Sequence, residues 1–427
     1  MRLILSLSPL LLLFALCTGL RAQTVPEYTE FLSGKVMDGK TGEPVAFVYV
    51  LLGSDQQNGV LTNETGDFRL PYTASDLTDT VFVSRIGYKV FREPLRNLVT
   101  TFERTKRPVR LNLVSEFVSI DAVTVRASQT PENIIRETLR RIPENYGTPE
   151  WQTDAYYRQY GLRNGAYTDV SEAIVTIQDG SYTDRNHRSS VYLNFLDRTV
   201  EQEDQQSDRL YGDENSIYTL YENHNNSARY QHIHWMNGRK HDFYETFDFE
   251  ILQVNVTDRD TIVSIGYAIN PERAGLSENA MGALAGWTRG EVWINLTDYA
   301  IIRNTRGNEN GDVFSEVYYS KIKDYYFPAR ITSIYAIQYG PDDWYVVNRM
   351  LCFSNTTNKR DAMAATVKSG KPMSRKKPLS KVKFSPTDMT GRAPRVLRIS
   401  APEATVVEEQ RRAYQRSLGT KEAEGRK

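Results

Sequence analysis

The stretch Val45-Ala46-Phe47-Val48-Tyr49-Val50-Leu51-Leu52 is apolar on both of its alternating faces. A strand with one wet face alternates apolar and polar residues, so this strand has packing partners on both sides and belongs in the middle of a sheet. Its neighbours repeat the β signal. Phe31 to Val36 precedes it across the turn residues Asp38-Gly39-Lys40-Thr41-Gly42, and the strand itself is read from Pro44 to Leu52. Thr65-Gly66-Asp67-Phe68-Arg69-Leu70 supplies a turn and a strand, and Thr80-Val81-Phe82-Val83-Ser84 another that ends at Gly87-Tyr88. Short strands divided by turn residues at this spacing predict a small β-sandwich over residues 30–128.

Further along, Val123-Thr124-Val125 reads as a last strand, and Thr130-Pro131-Glu132 as a helix start with an N-cap, a proline in the first turn and an acid beside it. Ile135, Leu139 and Ile142 then form one apolar stripe, which predicts a helix from Pro131 to about Ile142. After it, residues to 357 read as antiparallel strands. Tyr156 to Arg163 and Tyr167 to Gln178 flank Asn164-Gly165, a strong hairpin signal. Thr246 to Thr257 faces Thr261 to Ile269, and Glu291 to Leu296 faces Ala300 to Thr305. In the first of these pairs the apolar positions shift from Phe247, Phe249 and Ile251 to Leu252, Val254 and Val256, which predicts a β-bulge and hence a bent strand. The expected fold class is therefore mainly β: a sandwich over 30–128, then over 129–357 a curved antiparallel sheet with one short helix. The uncharged segment Met281-Gly282-Ala283-Leu284-Ala285-Gly286 would cover an apolar pocket lined by Ile251, Leu252, Leu284, Trp287 and Trp293, or simply cap the sheet end.

Four motifs in the first region carry a family resemblance: Gly34-Lys35-Val36-Met37-Asp38, Thr41-Gly42-Glu43-Pro44-Val45, Thr62-Asn63-Glu64-Thr65-Gly66-Asp67-Phe68 and Ser84-Arg85-Ile86-Gly87-Tyr88. In this order they resemble the carboxypeptidase regulatory-like domain over roughly residues 31–115. The resemblance implies a transthyretin-like sandwich of the kind found at the N-terminus of exported and outer-membrane proteins of Gram-negative bacteria, with no catalytic residues of its own. Asn63 stands where the family usually has Asp, and an Asn side chain can make the same turn bond. Ala122 to Arg126, the helix, and Asp154 to Arg158 resemble the segment that follows this domain in exported proteins of unknown function. Larger members add a membrane barrel, for which the roughly 70 residues after Asn358 are too few.

The N-terminus reads as that of an exported chain. Arg2 and the apolar run Leu3 to Leu16 read as a secretory signal over residues 1–22, cleaved before Gln23. Bulky Leu16 ahead of Cys17 argues against lipid attachment there. Without the signal only Cys352 remains, so no intramolecular disulfide can form. The expected location is the periplasm or the outer membrane. Zero formal net charge removes the main argument for a nucleic-acid partner. It conceals an asymmetry, since residues 359–427 carry 18 Lys/Arg against 7 Asp/Glu, while residues 23–358 carry 33 against 46. Residues 358–427 are expected to form a basic tail of low order, able to touch anionic lipid heads.

No catalytic, metal or cofactor site is predicted. His232, His234, His241, Asp242 and Glu245 lack zinc spacing. Gly34 to Thr41 satisfies the letters of a phosphate-binding loop, but a turn and strand follow where a helix is required. Cys352 alternates with Leu351 and Phe353, as a buried inert thiol would. The 26 tyrosines, including the pairs Tyr156-Tyr157, Tyr318-Tyr319 and Tyr325-Tyr326, suit either sheet packing or a ring-lined surface. The expected function is a non-enzymatic envelope module that binds or scaffolds a protein, an apolar ligand or a glycan. The alternative is a hydrolase acting on peptide or cell wall without a recognisable motif.

Overall fold

A computed structural model describes residues 30–53, 58–63, 65–85, 87–116, 129–146, 150–164, 166–180, 189–200, 216–225, 233–236, 239–242, 246–256, 260–274, 289–307, 313–358, 370–377, 379, 382 and 398–399. The first unit comprises β1 (Glu30–Asp38), β2 (Tyr49–Leu52), β3 (Asn58–Leu61), β4 (Asp67–Tyr72), β5 (Thr80–Ser84), β6 (Phe91–Pro94), α1 (Leu95–Thr105) and β7 (Val109–Leu113). One sheet has the order β4-β1-β7, and the other runs β3-β2-β5-β6. Val36, Leu70 and Leu111 from the first meet Val50, Val81 and Val83 from the second in a single core, which α1 closes with Leu95, Leu98 and Val99. The helix was legible in that i, i+3, i+4 spacing but is absent from the sequence reading, where the strand pattern dominates.

Two local details explain the sequence motifs. The Asn63 Oδ1 accepts hydrogen bonds from the backbone N–H of Thr65 (3.0 Å) and of Asp67 (2.9 Å), which is the turn bond expected of an Asp. Gly66 sits at φ +76°, where a Cβ would lie 2.6 Å from the Val36 carbonyl oxygen, so only glycine fits. In the phosphate-loop look-alike, Asp38 accepts from the backbone N–H groups of Lys40 (2.7 Å) and Thr41 (2.9 Å), and those amides are thereby used by a turn. One expectation needs correction. The strand read from Pro44 to Leu52 begins at Tyr49, because Phe47 adopts a left-handed φ of 54° that no continuous strand can hold.

The second unit begins with α2 (Pro131–Asn145), whose N-cap Thr130 Oγ1 accepts from the Asn133 N–H at 3.3 Å. Then come β8 (Trp151–Arg163), β9 (Ala166–Asp179), β10 (Ser190–Val200), α3 (Ser216–Asn225) and a separate hairpin of β11 (Ile233–Met236) and β12 (Arg239–Asp242). The chain continues through β13 (Phe247–Val256), β14 (Thr261–Ile269), β15 (Arg289–Asn295), β16 (Ala300–Gly307), β17 (Val313–Ile322), β18 (Tyr325–Gly340), β19 (Asp343–Asn358) and β20 (Lys371–Pro372). Eleven of these strands form one antiparallel sheet in the order β13-β14-β15-β16-β17-β18-β19-β8-β9-β10-β20. Its register shifts between Ile251 and Gln253, at the predicted bulge, and again in several other pairs, and such slips bend a sheet. The sheet wraps α2 and α3: Ile135, Ile142, Tyr146, Ile217 and Tyr221 share one core with Phe247 near one edge and Val191 near the other. The protein is mainly β, with one large curved antiparallel sheet and few helices.

Part of the C-terminal region expected to lack order is built into the sheets. Lys371-Pro372 pairs with the edge strand β10, the Met373 N–H donates to the Val191 carbonyl, and Leu379 is buried. A further pair, β21 (Arg398–Ile399), runs parallel to β3. An unpaired strand edge is a template for such additions, whatever the net charge of the segment that supplies them. Residues 1–29, 117–128, 201–215 and 275–288, which include the signal, the strand read at Val123 to Val125 and the Met281 to Gly286 cover, lie outside the described residues. Among the described residues no helix is long and apolar enough to cross a membrane.

Candidate ligand-binding site

Alternation along β2 explains its double apolar face. Val50 and Leu52 point into the sandwich core, while Tyr49 and Leu51 point out of it. On that outer side Leu51, Leu61, Phe47, Tyr49 and Phe82 pack with Tyr156, Met350 and Cys352 of the large sheet. The sandwich therefore docks on the sheet face opposite α2 and α3. Tyr156 meets the sandwich and Tyr157 the helices, the ring of Tyr319 lies 5.3 Å edge-on from Tyr146 at the end of α2, and Tyr325 and Tyr326 both pack with the helix-side core.

Beside this contact is a cavity of about 400 Å³ lined by Phe47, Tyr49, Leu51, Ser84 and Arg85 of the sandwich and by Tyr318, Ser320, Ala329 and Arg330 of the sheet. Arg330 forms its charged wall. It is only 3% exposed, and its guanidinium lies 4.0 Å from the Phe47 ring centroid and 4.4 Å from that of Tyr318. Its Nη2 donates to Glu316 at 2.5 Å and its Nη1 to the Phe47 carbonyl at 3.4 Å. The same Glu316 accepts from Arg303 Nε at 2.7 Å, and Arg303 reaches Glu291 at 3.9 Å. Burial pushes the Glu316 carboxyl up, but Arg330 and Arg303 outweigh it and hold the group below its ordinary range. Phe47 keeps its ring on Arg330 at the cost of a left-handed backbone that a bulky residue rarely adopts, and strain of this kind gathers at functional positions.

Neighbouring groups are electrostatically quiet. Burial raises the Cys352 thiol to about 12, with Arg330 and Arg158 pulling it partly back, so no thiolate nucleophile forms at neutral pH. Burial also pushes the Tyr49 hydroxyl up. Among the described residues no three His, Cys, Asp or Glu side chains gather as a metal would need. His234 and His241 stand opposite each other in the β11–β12 backbone ladder.

Of the five residues predicted to line a pocket, three are described, and two of these, Ile251 and Trp293, pack against the large apolar core. Ile251 packs against the helix-side core, whereas Leu252, at the bulge, is 55% exposed and lies over Gly266. Trp293 is cross-strand from Ser264 and Arg303, packs against the same core, and donates its indole N–H to Glu291 at 2.6 Å. Leu284 and Trp287 lie outside the described residues. The cavity residues absent from the sequence reading had two signals. One was the outer apolar face of Tyr49 and Leu51. The other was Arg330, the single charged side chain in Tyr325–Gly340, where a buried strand carries a charge only if it is paired.

No family model matches this chain, and no curated protein does. Solved structures that resemble part of it include a LolA superfamily protein from Nitrosomonas europaea, at 12% identity and a TM-score of 0.24 over 54% of this chain and 94% of that one. A DUF1329 family protein from Desulfovibrio piger, at 7% identity, has a TM-score of 0.24 over 54% and 94% of the two chains. The lipoprotein LppX from Mycobacterium tuberculosis, at 10% identity, has a TM-score of 0.19 over 53% and 94%. TM-scores of this size establish no common fold.

Proposed function

We propose that this protein is a non-enzymatic binding module of the bacterial cell envelope, and that its ligand seat is the cavity between the sandwich and the large sheet. The observation that carries this reading is the cavity itself. It is concave, walled by the rings of Phe47, Tyr49 and Tyr318, and supplied with the two guanidinium groups of Arg85 and Arg330. Ligand seats combine apolar and aromatic walls with a few polar groups in this way. Binding fits better than hydrolysis because Glu316, the nearest buried carboxylate, is held ionised by two arginines and is a poor proton donor. The secretory signal over residues 1–22 supports an envelope location, and the resemblance of residues 31–115 supports reading the sandwich as a regulatory-like accessory domain.

Ser84 is on the outer face of β5, by alternation with the inward Val81 and Val83, so Ser84→Trp puts a ring into the cavity. Small molecules extracted from the purified exported chain and identified by mass spectrometry should include one that falls at least tenfold in the Ser84→Trp chain. Equal recovery from both folded chains, or none from either, would remove the cavity as the seat.

A further inference from the structure

Resting on that reading of the cavity, the arrangement of its charges says what kind of ligand it takes. Five ionisable groups stand together: Arg85, Arg303 and Arg330 against Glu291 and Glu316. Glu316 is shared by Arg303 and Arg330, and Glu291 lies toward Arg303. The group thus carries one more positive charge than negative. Arg85 is half-buried in the cavity wall, and among the described residues no carboxylate lies within ion-pair distance of it. The Nε–H of Arg330 is buried and finds no acceptor among the described residues. Arg85, with no carboxylate of the described residues in reach, in a group with a positive surplus suits an oxyanion.

The remaining lining restricts the body that carries that anion. Phe47, Tyr49, Tyr318, Leu51 and Ala329 offer rings and aliphatic carbon. A seat of about 400 Å³ is near the small end of ligand pockets, enough for one compact molecule and too small to engulf a two-chain lipid. We propose that the cavity binds a small amphipathic carboxylate, its anionic head paired with Arg85 and favoured by the buried charge of Arg330 behind the wall, and its planar or aliphatic body held against Phe47, Leu51 and Ala329.

The test uses 1-naphthaleneacetate, its uncharged isostere 1-naphthaleneacetamide and inorganic phosphate as probes, with isothermal titration calorimetry on the full exported chain. The acid should bind at least tenfold more tightly than the amide, and phosphate alone more weakly than the acid. Arg85→Gln should weaken the acid far more than the amide and so bring the ratio of their affinities down at least tenfold. Ser84→Trp should abolish binding of both. In the unaltered chain the acid's advantage should shrink at 1 M sodium chloride, a readout that stands even if Arg85→Gln fails to fold. Equal binding of acid and amide, with both lost in Ser84→Trp, would keep the cavity as a seat and overturn the carboxylate. Acid binding undiminished by Ser84→Trp would put the anion elsewhere and overturn the proposal. Phosphate binding as tight as the acid would show that charge alone suffices and overturn the amphipathic requirement. No binding of any probe would overturn the carboxylate, while recovery of a molecule lost in Ser84→Trp would still support the cavity.

Discussion

The two faces of the large sheet bury their side chains by different means. On the helix face, Ile135, Tyr146, Ile217 and Tyr221 meet Trp151, Ile331 and Leu351 in a continuous apolar core. On the sandwich face, a small apolar contact around Met350 and Cys352 adjoins the charged group of Arg303, Glu316 and Arg330. Apolar packing has no direction, so side chains can close on one another until no space is left. Hydrogen-bonded ion pairs are directional and must keep their partners, so the charged side chains of the sandwich face are fixed in particular pairs, with the cavity beside them. Among the described residues the helix face is a continuous apolar core, and the wired face borders the cavity of about 400 Å³.

Substitutions on the two faces should separate these roles. The largest effect is expected on the helix face, where Trp151 is fully buried with its ring 5.0 Å from Phe327: Trp151→Ala should cost about 3–5 kcal/mol in urea unfolding. Naphthaleneacetate affinity of the folded fraction should be unchanged, and a parallel loss of affinity would break the division between the faces.

On the sandwich face, Glu316→Gln should cost about 3 kcal/mol at neutral pH, because it leaves Arg330 buried without its anion. The folded chain holds this carboxyl below its ordinary 4.5, so its contribution is full above that value and is lost as pH falls from there through the depressed one. Unfolding measured from about pH 7 to about pH 3 should therefore show a shallower acid loss in Glu316→Gln than in the unaltered chain. An identical acid slope would mean that Glu316 is not the linked group.

A smaller effect is expected at the junction itself. Phe47→Ala removes the ring stacked on Arg330 but leaves a left-handed backbone that Ala tolerates no better, so about 1–2 kcal/mol of stability should be lost. Calorimetry should show the sandwich transition separating from that of the sheet, and a single unshifted transition would deny Phe47 a coupling role. The smallest change belongs to Thr130→Ala, which removes one cap bond from α2 for about 1 kcal/mol, with ligand binding untouched. Altered binding there would show that the helix face communicates with the cavity.

Much of the fold was legible because periodicity reports burial. The hairpin around Asn164, the bulge after Ile251 and the cap at Thr130 were each written in a few consecutive residues, and each is found where it was read. α3 was hidden because Ser216 to Asn225 follows a long polar run, and its apolar residues Ile217, Tyr218, Leu220 and Tyr221 crowd one short turn without a longer stripe. The cavity was hidden for another reason. Phe47 and Arg330 are separated by 283 residues, and nothing local to either marks the other as its partner.

From its own sequence the chain determined the β character of both units, the phase slip after Ile251 and the requirement that both faces of the strand ending at Leu52 be packed. Those properties depend on neighbours two to four positions away, where spacing alone decides which side a residue faces. Only the tertiary structure decided that the partner of one face is the outer face of the large sheet, and that Arg85, Arg330, Glu316 and Tyr318 converge beside it. A buried charge is tolerable only with its counter-charge in place, and that pairing is a property of how two distant surfaces dock.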